Sequence, residues 1–424
     1  MISKFAIKRI VISFFLSICM CALGGCETVS EEPTEITFIH GWGSTEADHV
    51  AMRQIYSDFE KENPDIHLNM ISMPTNREMI RLVEDMITTG NIPDVIFTAG
   101  EGKDGIYSFM RNNNMLVDLM PYINADEAFQ DSISPIITNT WTTEDGKLFT
   151  ATDVLILSGG YWYNRDIFEQ AGIREVPGSW EEFYQVLETV NDWALQNNPS
   201  VEAIRPSFDA YMYMADNYFV EKGVLTEGTP LPLSTQNLSD VLDLWNTVHS
   251  YENVNYRNFS YRDEAALFND NKLAIFINGV WGASMIDPKI KAGYALLPHD
   301  EIQSISYQSA DLGYLLGNSK NEKKIEAGVR FLKYMLSEEV QKRIILETQQ
   351  MPSNPNIVIS DYYGTLERFS IAVEKVQLAG RRIEIPSMVL TQSQRETIEN
   401  NMNAFFLEKI TKEEFVDLIE QAVG

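Results

Sequence analysis

The feature that most constrains the fold is an alternation of strand and helix patterns that starts at Ile36. The apolar run 36–39 reads as a strand, and apolar residues at 52, 55, 56 and 59 then mark one helical face until Asn63-Pro64. A second strand over 66–71, a second helix ending at Gly90 and a third strand over 94–99 follow. This order predicts a βαβαβ unit, the start of a doubly wound parallel sheet.

The alternation resumes further along the chain. We predict a strand over 161–163, helices over 180–195 and 239–251, and an amphipathic helix through 325–336. The last helix opens with the capping box Thr411-x-x-Glu414. With 424 residues the chain exceeds what one core usually holds, so we expect an α/β protein with two lobes.

The N-terminus has the pattern of a bacterial lipoprotein signal peptide. Basic residues precede an apolar run over 10–23, which is too short to span a bilayer because a span needs about 20 residues. The run ends in small residues before Cys26, which resembles a lipobox. We therefore expect residues 1–25 to be removed, Cys26 to be lipidated, and residues 26–35 to tether the protein to the outside of the cell membrane.

Composition excludes several classes of function. The formal net charge of −28 disfavours nucleic acid as a partner. The other two cysteines, Cys19 and Cys21, lie in the segment to be removed, so the mature chain would have neither thiol chemistry nor a disulfide. Five histidines without a metal-binding spacing predict no metal site.

A glycine-rich motif resembles a dinucleotide fingerprint. GEGKDG, residues 100–105, follows a predicted strand and precedes a helical pattern. We disfavour the nucleotide interpretation, because the chain is expected to be exported and the motif follows the third strand rather than the first. The position still places Glu101 at the end of a strand, where ligands of open sheets bind. We expect no cofactor, and no pattern indicates catalysis.

Two tryptophans beside glycines are the better functional signal. Trp42 in HGWGST and Trp281 in NGVWGAS each follow a predicted strand. The usual role of a tryptophan is in a core, but glycine neighbours favour rings that keep a face free. An apolar ring beside polar groups suits a sugar.

An ordered set of motifs is similar to family 1 of the bacterial extracellular solute-binding proteins, the carbohydrate receptors of ABC importers. The motifs are ITFIHGWGS, FEKENPDI, IPDVIFTAG, LVDLMPYI, YWYNRDIFEQAGI, VPGSWEEF, ALFNDNKLAIFINGVWGAS and GNSKNEKKIEAGVRFLKYMLSEEVQKRI. The resemblance covers nearly the whole chain. It implies two lobes joined by a hinge, with lobe 1 over 36–150 plus 306–350 and lobe 2 over 153–298 plus 353–424.

The resemblance also implies a ligand site between the lobes. From lobe 1 it implies Trp42, Ser44, Glu46 and Glu101. From lobe 2 it implies Asp153, Asp209, Tyr211, Gly279 and Trp281, with Gln308, Asp311 and Arg381 as further positions. Thr152 stands where the family often has proline, which weakens the assignment of Asp153.

The expected function is capture of a sugar or oligosaccharide by hinge closure and its delivery to the transmembrane subunits of an ABC permease. We expect a monomer held at the membrane by its N-terminal lipid. Two alternatives stay open: a receptor for a non-sugar solute such as a peptide, polyamine or glycerophosphodiester, and an exported enzyme acting on glycans. The acidic residues near the site favour a neutral or cationic ligand.

Overall fold

A computed structural model describes residues 32–98, 105–224, 234–252, 259–299, 304–383 and 392–422. Glu101 and Cys26, with the whole signal segment, lie outside the described residues. The strands are β1 Thr34–His40, β2 Ile66–Ser72, β3 Val95–Thr98, β4 Thr150–Ala151, β5 Val154–Ser158, β6 Gly160–Asn164, β7 Glu202–Ile204, β8 Leu273–Phe276, β9 Ala292–Leu296, β10 Ile305–Ser309, β11 Gly313–Leu316, β12 Met351–Pro352 and β13 Arg381–Ile383.

Helices cover the faces of the sheets. In the N-terminal half they are α1 Ala47–Glu62, α2 Asn76–Thr88, α3 Ile106–Asn112, α4 Met120–Asn124, α5 Glu127–Ser132, α6 Pro135–Trp141, α7 Arg165–Gln170, α8 Trp180–Asn197 and α9 Phe208–Glu221. They continue as α10 Thr235–His249, α11 Tyr261–Asn269, α12 Gly282–Met285, α13 Glu322–Leu336, α14 Glu338–Arg343, α15 Glu367–Gln377, α16 Gln392–Phe406 and α17 Lys412–Gln421, with a π-helix over Ile344–Thr348 and a 3-10 turn over Ile359–Tyr362.

The first sheet confirms the predicted βαβαβ unit. Its strand order is β2-β1-β3-β11-β4, and β1 runs parallel to both β2 and β3. Strand β11 arrives from late in the chain and pairs antiparallel with β3 and β4. Apolar faces of α1, α2 and α13 pack on this sheet, and their buried residues form one core cluster with it. We call this half the first lobe.

The second lobe contains the other two sheets. One has the order β7-β8-β6-β9 and the other β12-β5-β10-β13. Two core clusters fill this half, one around α8, α9 and α10 and one around α11 and α15. The capping box predicted at Thr411 and Glu414 is present and starts α17, whose Phe415 and Ile419 are buried. The α/β class and the two lobes are therefore as predicted.

The chain crosses between the lobes three times. The first crossing lies between β4 and β5, the second between β10 and β11, and the third between the π-helix and β12. Gly313 at the second crossing has φ 68°, and a Cβ there would lie 2.5 Å from the carbonyl oxygen of Ala151. Only glycine fits such a position without strain.

Strand β10 pairs within the second lobe, whereas the resemblance assigned residues from 306 onward to lobe 1. Ile305 and Tyr307 pack into a core cluster of the second lobe, and β10 pairs with β5 and β13 there. A break at 306 would divide this strand. Among the described residues, no helix is both long and apolar enough to cross a membrane.

Candidate functional site

The loop after β1 holds Trp42 against the first lobe. The Trp42 ring stacks on Phe97 with centroids 5.8 Å apart and meets His49 edge-on at 4.7 Å. Its Nε1 atom is buried and has no hydrogen-bond acceptor among the described residues. One edge of this indole therefore still has a hydrogen bond to donate.

The glycines beside Trp42 have a structural role. A Cβ on Gly41 would lie 2.1 Å from Oδ1 of Asn76, and one on Gly43 would lie 2.4 Å from the carbonyl oxygen of Met73. The backbone nitrogen of Gly43 also donates to that carbonyl. The glycines allow this close contact between two loops, and their predicted role in leaving the ring's face free stays a prediction.

Ser44 and Glu46 form a polar group at the start of α1. The hydroxyl of Ser44 donates to Oε2 of Glu46 at 3.0 Å and lies 2.9 Å from Nδ1 of His49. Burial lowers the pKa of His49 to about 4, so its imidazole is neutral at physiological pH. Both predicted ligand residues are therefore already engaged with neighbours.

The other carboxylate oxygen of Glu46 reaches the second lobe. Oε1 accepts a hydrogen bond from Nε of Arg262 at 2.7 Å. Burial acts to raise the pKa of Glu46, but the hydrogen bond and charge of Arg262 lower it below its ordinary value. Glu46 is thus a charged partner of Arg262.

One trio of described residues could hold a metal ion. Glu46, Asp48 and His49 bring potential ligand atoms within 4.8 Å of one another. The guanidinium of Arg262 already occupies one oxygen of Glu46, and its charge would repel a cation. The residues present do not favour a metal there.

Helix α9 carries the site of the second lobe, but not through every predicted residue. Tyr211 is fully buried, packs against Trp245 and Phe406, and donates a hydrogen bond to Glu252. Residues two apart on a helix point to opposite sides. Tyr211 therefore packs in the core of the second lobe, and the structure does not bring it together with Asp209 as predicted.

Tyr213, rather than Tyr211, lies on the same side of α9 as Asp209. It is one turn after Asp209 and is half-buried. Burial raises the pKa of Tyr213 well above its ordinary value, and the negative charges of Asp209 and Asp311 add to this. Tyr213 therefore lies near two of the predicted carboxylates.

Asp209 lies close to the first lobe. Its Oδ1 atom is 3.3 Å from a guanidinium nitrogen of Arg395 on α16. Burial raises the pKa of Asp209, and the positive charges of Arg395 and, from the first lobe, Arg77 oppose this. The charge of a first-lobe residue thus acts on a predicted ligand carboxylate of the second lobe.

Trp281 is the N-cap residue of α12 and presents a half-buried ring. Tyr213 meets it edge-on, with centroids 6.2 Å apart. Among the described residues, Trp281 is absent from the side chains that pack into the three core clusters. Its ring is therefore available to a ligand in a way that a core tryptophan is not.

Gly279 and Gly282 leave room for two tryptophan rings, those of Trp281 and Trp162. A Cβ on Gly279 would lie 1.9 Å from Cζ3 of Trp281, and one on Gly282 would lie 2.5 Å from Nε1 of Trp162. One face of the Trp281 ring thus rests on Gly279, which was predicted as a ligand residue. The glycine supports the ring, so the prediction that the ring has no neighbours is wrong.

Asp153 lies at the first crossing between the lobes, within the hinge. It is fully buried at the first crossing, and its Oδ2 accepts a hydrogen bond from the Tyr314 hydroxyl at 2.7 Å. Oδ1 has no hydrogen-bond partner among the described residues. The carboxyl of Asp153 is thus enclosed by protein and held by Tyr314, and its predicted contact with a ligand stays a prediction.

The remaining predicted residues lie at or near the second crossing. Gln308 is half-buried on β10 and Asp311 is buried between β10 and β11. Arg381 is exposed on β13, at the edge of its sheet. The structure brings Asp311 towards Tyr213, but no contact links Arg381 to the other described site residues.

Tyr213, Arg262 and Arg395 were not predicted from the sequence. The helical spacing between Asp209 and Tyr213 could have identified the first. No local pattern could have identified Arg262, since it is 216 positions from its partner Glu46. The arrangement offers rings, carboxylates and guanidinium groups from two lobes, which suits the enclosure of a polar solute.

Comparisons with known proteins agree with this geometry. The sequence profile described as bacterial extracellular solute-binding protein matches residues 42–342. The putative ABC transporter periplasmic-binding protein YcjN of Escherichia coli (strain K12) is 27% identical over 236 residues, 53% of this chain and 51% of that protein. This chain thus aligns with about half of that relative.

Two further likenesses extend over more of the chain. The melibiose/raffinose/stachyose-binding protein MelE of Bacillus subtilis (strain 168) is 23% identical over 369 residues, 82% of each protein. A solute-binding protein of Streptococcus pneumoniae, solved in complex with the blood group A-trisaccharide, is similar with a TM-score of 0.74 and 21% identity over 92% of this chain and 99% of that chain. The structural likeness shows the two-lobed fold of periplasmic solute-binding proteins.

Proposed function

This chain belongs to the family of bacterial extracellular solute-binding proteins, and we propose that it captures a sugar or oligosaccharide between its lobes for an ABC importer. Relatives and structural neighbours that bind saccharides support the choice of ligand. The family consists of substrate-binding proteins, so the expected activity is binding and delivery to permease subunits, without turnover.

The observation that carries the proposal is the half-buried ring of Trp281 beside Tyr213. An indole stacks on the C–H face of a sugar, while nearby carboxylates accept hydrogen bonds from its hydroxyls. Asp209 and Asp311 lie near Tyr213 and would supply such acceptors. Trp42, with its free Nε1, is the proposed contact from the first lobe.

The proposed mechanism is closure of the two lobes on the ligand. Ligand bound to one lobe gains contacts from the other only in the closed form, which shifts the population towards it. We propose a first lobe over 36–150 plus 310–350 and a second lobe over 153–309 plus 353–424. The packing of Ile305 and Tyr307 in the second lobe supports the later boundary.

Attachment to the membrane is a separate part of the proposal. The signal-like segment 1–25 and the lipobox-like residues before Cys26 support export and lipidation. Two acyl chains on Cys26 would anchor the protein on the outer side of the cell membrane as a monomer. Labelling of cells with a radioactive fatty acid should mark the wild-type chain and not the Cys26→Ser variant.

A thermal-shift screen against mono- and oligosaccharides tests the proposed ligand class. A saccharide that binds only the folded protein raises its melting temperature by mass action. Calorimetry with that saccharide should then show weaker binding to Trp281→Ala, about five-fold or more. Trp193→Ala is the matched control, because Trp193 packs against a core cluster of the second lobe.

Three outcomes would contradict the proposal. If no saccharide raised the melting temperature while a peptide or polyamine did, the ligand class would be wrong. If Trp281→Ala bound the stabilising saccharide as tightly as the wild type, the proposed site would be wrong. New reducing ends after incubation with oligosaccharides would point to an enzyme instead.

A further inference from the structure

Two ion pairs between described residues join the lobes. Glu46 at the start of α1 pairs with Arg262 on α11, and Arg77 on α2 pairs with Glu399 on α16. In each pair one partner is fixed to the core of the first lobe and the other to the second, because buried residues of the same helices pack there. These contacts require the lobes to be close together.

The two pairs have opposite polarity. The first lobe supplies the carboxylate of one pair and the guanidinium of the other. Either pair alone would resist separation of the two lobes. The two pairs together also disfavour sliding of one lobe along the other, since such a shift would move like charges on the two lobes nearer each other. The arrangement is selective for one relative position of the lobes.

The second pair continues towards the proposed ligand site. Glu399 and Arg395 are four residues apart on α16, which places them on the same face of the helix. Arg395 in turn contacts Asp209 at 3.3 Å. Four charges of alternating sign therefore run from Arg77 on the first lobe to Asp209 on the second.

We propose that the pairs Glu46–Arg262 and Arg77–Glu399 form a latch that holds the lobes closed in the absence of ligand. Glu46 is then a closure residue rather than a ligand contact. This inference goes beyond the proposed sugar binding, since the latch acts whatever solute the cleft accepts. A ligand would stabilise a conformation that the latch already populates.

The expected effect is modest for each pair. The Glu46 and Arg262 side chains are about one-third exposed, and Arg77 is more exposed than that. Ion pairs of this kind change an equilibrium constant by up to about five-fold. Loss of both should therefore shift the closed-to-open ratio by up to about 25-fold, and salt should have a similar effect because it screens exposed charges.

Small-angle X-ray scattering of the purified, ligand-free protein tests the latch. At low ionic strength the double variant Arg77→Gln with Arg262→Gln should have a larger radius of gyration than the wild type. The wild type should expand towards that value in 1 M salt. The charge-swapped variant Glu46→Arg with Arg262→Glu should remain compact, since the pair is restored with its charges exchanged.

The control variant is Arg330→Gln. Arg330 forms an exposed pair with Asp65 inside the first lobe, so its loss should leave the radius of gyration unchanged at either ionic strength. Circular dichroism confirms that each variant is folded. Equal scattering from the wild type and the double variant in low and high salt would overturn the latch.

The outcome is independent of the proposed ligand, because no solute is present in the measurement. A protein that bound no saccharide but opened as described would refute the proposed function and support the latch. A protein that bound a saccharide but showed no expansion would support the proposed function and refute the latch.

Discussion

The hydroxyl of Tyr314 in the first lobe donates a hydrogen bond to the carboxyl of Asp153 at the first crossing, with the two oxygens 2.7 Å apart. A further hydroxyl, that of Tyr56, lies 3.2 Å from the Tyr314 oxygen. The three side chains are fully buried. A titratable group thus lies inside the hinge, where it can make stability depend on pH.

Burial raises the pKa of Asp153 to about 7, although the hydrogen bond from Tyr314 acts to lower it. The folded protein therefore binds a proton that the unfolded chain has lost, and this contribution to stability declines as pH rises from about 4 to about 7. In Asp153→Asn it should be absent. Urea unfolding at pH 4.5 and 7.5 gives the loss of stability between these two pH values. This loss should be greater for the wild type than for the variant, by about 4 kcal/mol at most. Equal losses in both proteins would contradict this.

Tyr211 and Tyr213 should respond differently to replacement by alanine. Tyr211→Ala removes a fully buried ring and should lower the free energy of unfolding by about 3–5 kcal/mol. Tyr213→Ala should leave the protein more stable than Tyr211→Ala but weaken binding of the stabilising saccharide about five-fold. Urea unfolding and calorimetry measure the two effects. If instead Tyr211→Ala weakened binding and Tyr213→Ala caused the larger loss of stability, Tyr211 would belong to the ligand site.

Gly279→Ala should act through Trp281. The new Cβ would lie 1.9 Å from the ring, which must then leave its observed position. Because Trp281 is outside the core clusters, we expect weaker ligand binding with little loss of stability. Calorimetry with the stabilising saccharide gives the affinity. Gly364→Ala is the control, since a Cβ there meets no atom within 4 Å; unchanged affinity of Gly279→Ala would show that the ring position is unimportant.

Gly43→Ala should destabilise the first lobe. Its Cβ would lie 2.4 Å from the backbone oxygen of Met73, which cannot move as a side chain could. Such overpacking typically costs about 1–3 kcal/mol. Urea unfolding against the same Gly364→Ala control measures it. A stability equal to that of the control would mean that the two loops can separate freely.

Local patterns predicted the elements of the fold well, since the apolar spacings that define α1, α2 and α13 depend on neighbours in sequence. The phase of α9 could not be predicted in this way. Its sequence FDAYMYMADNYFVE is apolar on most sides, so either tyrosine could have faced the cleft. Burial of Tyr211 is decided by α10 and α16, which come from distant parts of the chain.

The candidate site was predicted less well for the same reason. Trp281 followed from its local context, although the meaning of Gly279 did not, because only the fold shows the ring lying over it. Glu46 was predicted as a ligand residue, but its partner Arg262 could not be predicted because it is far away in sequence. The role of Asp153 depends on Tyr314, which reaches it only after the chain has crossed between the lobes twice.

The late position of β11 in the first sheet has a consequence for biosynthesis. β3 and β4 are both translated before residue 152, yet the strand that lies between them is Gly313–Leu316. Until about three-quarters of the chain has been made, β3 has an unpaired edge and β4 has no neighbour. Pairing over such separations is slow, so the first sheet is completed late in the folding of the chain.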